Sequence, residues 1–432
     1  MLPVLTVPAG LGEVLQVVGG AFAAPTFATF VALVTGYLGA TGRRTVTGMW
    51  IAAGLAGVAH HARAHRFFSH AVWDLDVVGL LLARAVVAAF APGAVSVVVD
   101  DTLFHRFGRR VFGCCWQHDG SARGRDGIGR GNCFVIAGST APVPATGREV
   151  FFPPLFRRYR PKHGPSKPDL ARAMVGVLAR SLHPRRVQVV VDAAYRSPGW
   201  RSLPAAVTCT TRLPANAVLY APAPPRTGRR GRPRTKGARL GTAADLAAAA
   251  AWRTTTTSRY GAVVTIEVAV VDCLWYGSLG GVPVHVVLVR DQRGRGALYD
   301  IAVVTTDRAV PAETVVCRYA ARWSVEQAIK DGKDLLGCGD AQHRVQTAVE
   351  RSVPFAMLCQ TILVLWYTRI GNAEADIAAR RATTPWYQHK TNISLDDMLV
   401  AFRRARITTV TAAHNAPAQF TPAAATCTSA AA

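Results

Sequence analysis

Two rhythms of apolar residues run through this chain. Val95-Ser-Val-Val-Val99 and Val187-Gln-Val-Val-Val191 are short β-branched runs with almost no polar face, which predicts strands buried on both sides of a sheet. Each delivers acid at its C-terminal end, Asp100-Asp101-Thr102 in one case and Asp192-Ala-Ala-Tyr195 in the other. A third strand is expected over Cys133 to Ala137, after a glycine- and arginine-rich turn at 120 to 131. Between them, Met174, Val177, Leu178 and Ser181 share one side of a helix over Asp169 to Leu182. Strands alternating with helices predict an α/β sheet.

The first 90 residues read as helical, with apolar runs at Phe27 to Leu38 and Met49 to Val58 and a cluster of imidazoles and cations from His60 to Arg66. Two readings fit them: a small DNA-contacting domain or a helical cap on the main fold. The apolar stretch Val77 to Val99 is broken by Arg84, Pro92 and Gly93, so a buried helix followed by a buried strand explains it better than a membrane span. Ala262 to Val271, Val282 to Val289 and Leu298 to Val304 are β-rich and joined by glycine-rich turns, which predicts an antiparallel meander. Arg351 to Ile370 reads as a largely apolar helix and Leu395 to Arg406 as a shorter basic one.

The stretch Tyr319 to Lys333 contains no proline and predicts one helix. Tyr319, Arg322, Glu326, Lys330 and Lys333 follow at steps of three and four on a polar face, while Ala321, Val325, Ala328, Ile329 and Leu336 form an apolar stripe. The polar face alone is equally that of a solvated helix with Arg322–Glu326 and Glu326–Lys330 pairs.

Charge changes that balance. The 432 residues carry 50 Lys and Arg against 26 Asp and Glu, a net +24, which points to a polyanionic partner, nucleic acid first. From Trp200 to Leu240 there is no acid, and Arg226, Arg229, Arg230, Arg232, Arg234 and Lys236 crowd a segment whose prolines and glycines forbid a helix. Such an arm suits a phosphate backbone or a minor groove, or it is a solvated linker. Nine cysteines without a recurring CxxC pair support neither a disulfide framework nor a structural zinc site, and fit a reducing cytosol. Trp252 and Trp275 are read as core residues, with base stacking as the alternative.

Two strand-ending aspartates and Glu326 make a candidate three-carboxylate cluster. Carboxylates without histidine suit a hard cation, Mg²⁺ or Mn²⁺, and two such ions suit phosphodiester cutting and joining. These residues resemble the DDE transposases of bacterial insertion sequences, in the group marked by a Tyr-Arg-Glu-Lys signature. Tyr319, Arg322, Glu326 and Lys333 match its intervals, Asp100-Asp101-Thr102 matches its strand-ending Asp-x-Thr, and Asp192 with Tyr195 matches its second acid. Asp101 remains an alternative to Asp100.

The resemblance implies an α/β, ribonuclease H-like catalytic domain with a β-rich insertion and a helical N-terminal region. It divides the chain into a helical region at 1–90, a catalytic domain at 91–200 and 307–370, a basic arm plus insertion at 201–306, a C-terminal helical region at 371–410 and a disordered tail at 411–432. It implies catalytic, metal-holding Asp100, Asp192 and Glu326 with two Mg²⁺ or Mn²⁺ ions. DNA contacts are expected at Tyr319, Arg322, Lys330 and Lys333, with Arg229, Arg230, Arg232 and Arg234 from the arm. The expected partners are double-stranded DNA, as terminal inverted repeats and target, and a second copy in a homodimer, with no membrane and a cytoplasmic, nucleoid-associated setting. The implied activity is end cleavage and strand transfer in cut-and-paste transposition. A nuclease of the same fold without joining and a non-catalytic DNA-binding regulator are the alternatives.

Overall fold

In a computed structural model, residues 6–120, 122, 127–225, 232–291 and 298–415 are described. Five helices open the chain: α1 (Leu11–Gln16), α2 (Ala24–Gly39), α3 (Val46–Ala52), α4 (Ala62–Ser69) and α5 (Leu75–Phe90). The sheet begins with β1 (Val95–His105), β2 (Cys115–His118), β3 (Ile128–Val143) and β4 (Arg148–Arg158). It continues through α6 (Lys167–Ser181), β5 (Val187–Val191) and β6 (Val207–Arg212). The strands run β4-β3-β1-β5-β6, antiparallel across β3 and parallel from β1 to β5 to β6. This is the ribonuclease H-like α/β arrangement.

The parallel strands are buried on both faces because their residues alternate between two cores. Val98 and Val190 face the core built by α1 to α5 and the later helices, while Val97, Val99, Val189 and Val191 face α6. β6 shares the parallel register, Val191 opposite Thr211, so the central sheet extends past the boundary expected at residue 200.

The insertion does not stand apart. β7 (Leu219–Tyr220), β8 (Arg239–Gly241), α7 (Ala243–Ala248), β9 (Arg253–Arg259), β10 (Ala262–Leu274), α8 (Tyr276–Leu279), β11 (Pro283–Asp291) and β12 (Ile301–Thr305) follow. β10, β11 and β12 are the antiparallel meander, and β12 pairs with β6, which makes one continuous sheet of twelve strands. Trp275 is 4 % exposed in the core, and Trp252 packs at its margin beneath the Arg290 guanidinium, 4.3 Å from the ring centre.

Then come α9 (Ala312–Ala321), α10 (Trp323–Asp334), α11 (Gln346–Ile370), α12 (Ala373–Thr383) and α13 (Leu395–Asn415). α11 is long and apolar enough to cross a membrane, yet 89 % of its most apolar window is buried inside the protein. It is the spine of the larger core. Arg351 on it donates to the carbonyls of Ala71 (2.8 Å) and Trp73 (2.6 Å) and lies over the Trp73 ring. The first five helices are therefore a cap sharing one core with the sheet. α13 runs to Asn415, past the boundary expected at 411, and residues 416–432 lie outside the described residues.

No element is expected over 148–158, and one helix is expected over Tyr319 to Lys333. β4 carries Pro153-Pro154, which argues against a strand, but it is an edge strand whose register breaks there, opposite Gly138. A Cβ on Gly138 would meet the Phe152 carbonyl at 2.3 Å, and one on Gly79 of α5 would meet the Pro154 carbonyl at 1.9 Å. Glycine on both sides lets backbone press against the break. Tyr319 to Lys333 is not one helix: α9 ends at Ala321 and α10 starts at Trp323. Around the single joint residue Arg322 the bonds are of the tighter type, Arg322 N–H to Tyr319 O and Val325 N–H to Arg322 O. No glycine or proline announces the joint.

Candidate active site

Pairing of β1 with β5 stops at Val99 and Val191, while β1 runs on against β3 to His105. The two acids thus emerge where the parallel strands end, the place at which sheets of this kind aim side chains outward. Alternation then separates neighbours. Asp100 continues the Val98 side toward α10, and Asp101 continues the Val97 and Val99 side toward α6.

On the α10 side, one guanidinium serves two carboxylates. Arg322 Nη1 donates to Asp100 Oδ2 at 3.3 Å and Nη2 to Glu326 Oε1 at 2.7 Å. The Arg322 to Glu326 pair is the i,i+4 contact that the spacing suggests, and the Asp100 contact shows that this helix face is turned inward. Burial pushes the Asp100 carboxyl up to about 6, with Asp101 and Glu326 adding to the rise and the Asp101 amide and Arg322 opposing it. Burial works against the Arg322 charge, but Asp100 and Glu326 outweigh it and raise its pKa. Lys333 reaches the same edge, donating from Nζ to Thr102 Oγ1 at 2.7 Å over the Phe104 ring, its pKa lowered by burial.

Tyr319 sits at the end of α9, where burial raises its phenol and the charges of Arg322 and Asp192 act on it from nearby. Asp192 is the first residue after β5 and precedes a single turn of helix, with no side-chain bond capping that turn. Lys330 is exposed. The structure thus brings Asp100, Glu326, Arg322 and Lys333 together where the parallel pairing of β1 stops, while Asp192 makes no bond to any of them and only its charge reaches Tyr319. Among the described residues no group of three His, Cys, Asp or Glu side chains is gathered closely enough to hold a metal ion, and Arg322 lies between two of the three acids.

On the α6 side, Asp101 is fully engaged. It accepts from Lys167 Nζ at 2.5 Å, from the Tyr195 hydroxyl at 2.7 Å and from the Cys133 thiol at 3.4 Å. Lys167 is the residue that sequence reasoning missed; it sits 66 positions from Asp101, and only the sheet topology brings them together.

The described arginines of the basic arm do not join the site. Arg229 and Arg230 lie outside the described residues, and Arg232 and Arg234 are exposed. Arg232 and Arg234 stand between β7 and β8 at the far end of the sheet, with β7 six strand steps from β1, about 29 Å at the usual spacing. Lys236 fixes the end of the arm, its ammonium over the rings of Tyr220 (3.7 Å) and Tyr276 (4.9 Å).

No curated protein matches this chain by sequence. Residues 19–267 match the family described as DDE superfamily endonuclease, a span that includes β1 with Asp100 and β5 with Asp192 and stops inside β10, before Glu326. With more than half of its length matched and a ribonuclease H-like sheet carrying acids at its strand ends, the chain belongs to the DDE superfamily endonucleases.

Proposed function

We propose that this chain is a transposase that cuts the ends of a DNA element and joins them to a target. The observation that carries the reading is the Asp100–Arg322–Glu326 bridge, which ties an acid of the central strand, just past its parallel pairing, to an acid 226 positions later on a helix. A solvated helix face has no reason to bury its arginine against a sheet acid.

The family's enzymes act on DNA and generally use divalent metal ions. The donor set here fits such an ion in type: Asp100, Asp192 and Glu326 offer only hard oxygens, and the Asp100 carboxyl is held near 6 by burial that one shared guanidinium does not offset. These three would hold the metal, which supplies activation of the attacking oxygen and stabilisation of the leaving one. Arg322 keeps Asp100 and Glu326 aligned and neutralised in the free protein. Lys333 and Tyr319 would grip phosphate oxygens.

In the first step water bonds to phosphorus and the 3′ oxygen leaves. In the second that 3′ hydroxyl attacks a target phosphodiester and displaces its 3′ oxygen. Two ends held by two copies of the chain complete the reaction we propose, in the cytoplasm where the DNA lies. The net charge of +24 supports a DNA substrate by counterion release.

Labelled duplex carrying the inverted repeats that flank the gene, incubated with Mg²⁺ or Mn²⁺, tests the reading against Glu326→Gln. Cutting and joining by the wild type, with a variant that binds but does neither, is the expected result. Cutting without joining leaves a nuclease, and equal behaviour of the two proteins leaves a DNA-binding regulator.

A further inference from the structure

Past the carboxylates, β1 leads into a projection that nothing above uses. β2 and the start of β3 form a short hairpin in which Trp116 pairs with Arg130 and His118 with Ile128. Alternation puts these four on one face. Trp116 is 69 % exposed and Ile128 54 %, and in the preceding loop Phe107 is 88 % exposed. Arg109 and Arg110 beside it are exposed as well.

The projection is rigidly anchored. Arg106 is buried and donates to the Gly339 carbonyl, Phe112 N–H donates to Arg344 O at 2.9 Å, and Asn132 Nδ2 holds Phe112 O at 3.1 Å. Arg130 donates to the carbonyls of Arg106 at 3.0 Å and Gly108 at 3.5 Å, bracketing Phe107. His105 Nε2 and Asp119 Oδ2, 2.8 Å apart, tie the end of β1 to the tip. Large apolar side chains held out in water by so many bonds mark a contact surface. Among the described residues of 105–131, Arg106, Arg109, Arg110 and Arg130 stand against one aspartate, Asp119, a balance that selects a polyanion over a protein face.

We propose that this prong wedges Phe107 and Trp116 into duplex DNA some base pairs away from the cleavage point, unstacking a base step while the exposed Arg109 and Arg110 hold the flanking phosphates. The inference rests on the DNA-cutting reading above. Five residues of extended strand separate Asp100 from His105, about 17 Å. The wedge therefore falls about five to eight base pairs from the phosphate being cut.

The full chain is tested on the flanking-repeat duplex with 2-aminopurine placed at successive positions on both sides of the cut. Wild type raises the emission at one or two adjacent steps in that interval. Phe107→Ala/Trp116→Ala abolishes the rise, weakens binding about tenfold or more and slows cutting, with an unchanged melting temperature, since both side chains are exposed. Trp116→Phe keeps the signal, and a two-base mismatch built in at that step restores cleavage by the double variant. Normal cutting with identical emission and affinity in both proteins overturns the wedge and leaves the DNA reading standing. A change in self-association of the DNA-free double variant, seen by sedimentation, overturns it in favour of a face between copies. A wild type that neither binds nor cuts the duplex sinks both readings.

Discussion

Asp100 and Asp101 are neighbours on one strand and live in different worlds. Asp101 has a lysine, a phenol and a thiol on its carboxylate. Asp100 has its neighbour's amide and one long contact from an arginine that is shared with Glu326. A carboxylate with its hydrogen bonds filled is a structural part, because nothing can displace its partners without loss. One that is buried and under-compensated, held near 6, is poised to receive a cation. The strand's alternation produces this difference from two identical side chains.

The largest expected effect breaks the two apart. Asp100→Asn lowers DNA cleavage by about a thousandfold or more, the scale of losing a group that holds the reacting centre's charge. Asp101→Asn lowers it by no more than about tenfold. Single-turnover cleavage of one labelled duplex by the two variants measures both, and equal losses would remove the distinction.

Arg322→Ala attacks the α10 side alone. The side chain is 15 % exposed and bridges two acids, so removing it leaves two facing carboxylates and costs about 3 kcal/mol of folding stability in urea titration. Arg322→Lys restores little, since a point charge cannot span both partners as the planar fork does. A cost below about 1 kcal/mol would mean the bridge is an exposed pair of no consequence.

How much of this was legible in the chain follows the range of the forces involved. The two β-branched runs and their terminal aspartates were readable because burial on both faces writes itself into consecutive residues. Arg322 and Glu326 were readable as a pair because helix contacts repeat every four positions. The joint at Arg322 was not, since no residue there breaks a helix and the acid that Arg322 meets on the sheet lies 222 positions away. Pro153-Pro154 hid β4, whose strand survives because it is an edge with Gly138 opposite. Lys167 was invisible because sheet order, and not sequence distance, decides that it meets Asp101 across 66 positions.

The pH dependence of stability isolates Asp100 from below. The folded carboxyl titrates at about 6 against an ordinary 3.8. Between those values the folded chain holds a proton that the unfolded chain has lost, so stability falls as pH rises through that window and stays low above it. With the side chain 21 % exposed, the loss is about 2 kcal/mol. Asp100→Asn lacks this fall. Mg²⁺ at pH 8 restores stability to the wild type and not to the variant, read by urea unfolding at constant ionic strength. A wild type whose stability is flat from pH 4 to 7 would place Asp100 among the satisfied acids.

The smallest effect tests the α6 side. Tyr195 is 2 % exposed, and its hydroxyl donates to Asp101 Oδ1 at 2.7 Å. Tyr195→Phe keeps the ring in its core and deletes one hydrogen bond to a carboxylate, for a loss of about 1–2 kcal/mol. Lys167 still holds the other oxygen of Asp101, so the acid stays in place and cleavage changes by less than about tenfold. Both numbers come from the same preparation, by urea unfolding and by single-turnover cutting. A stability loss of that size with unchanged cutting keeps Asp101 as scaffold. A loss of cutting far beyond the stability change would mean that Asp101 touches the reacting phosphate itself, and the roles of the two neighbours would have to be exchanged.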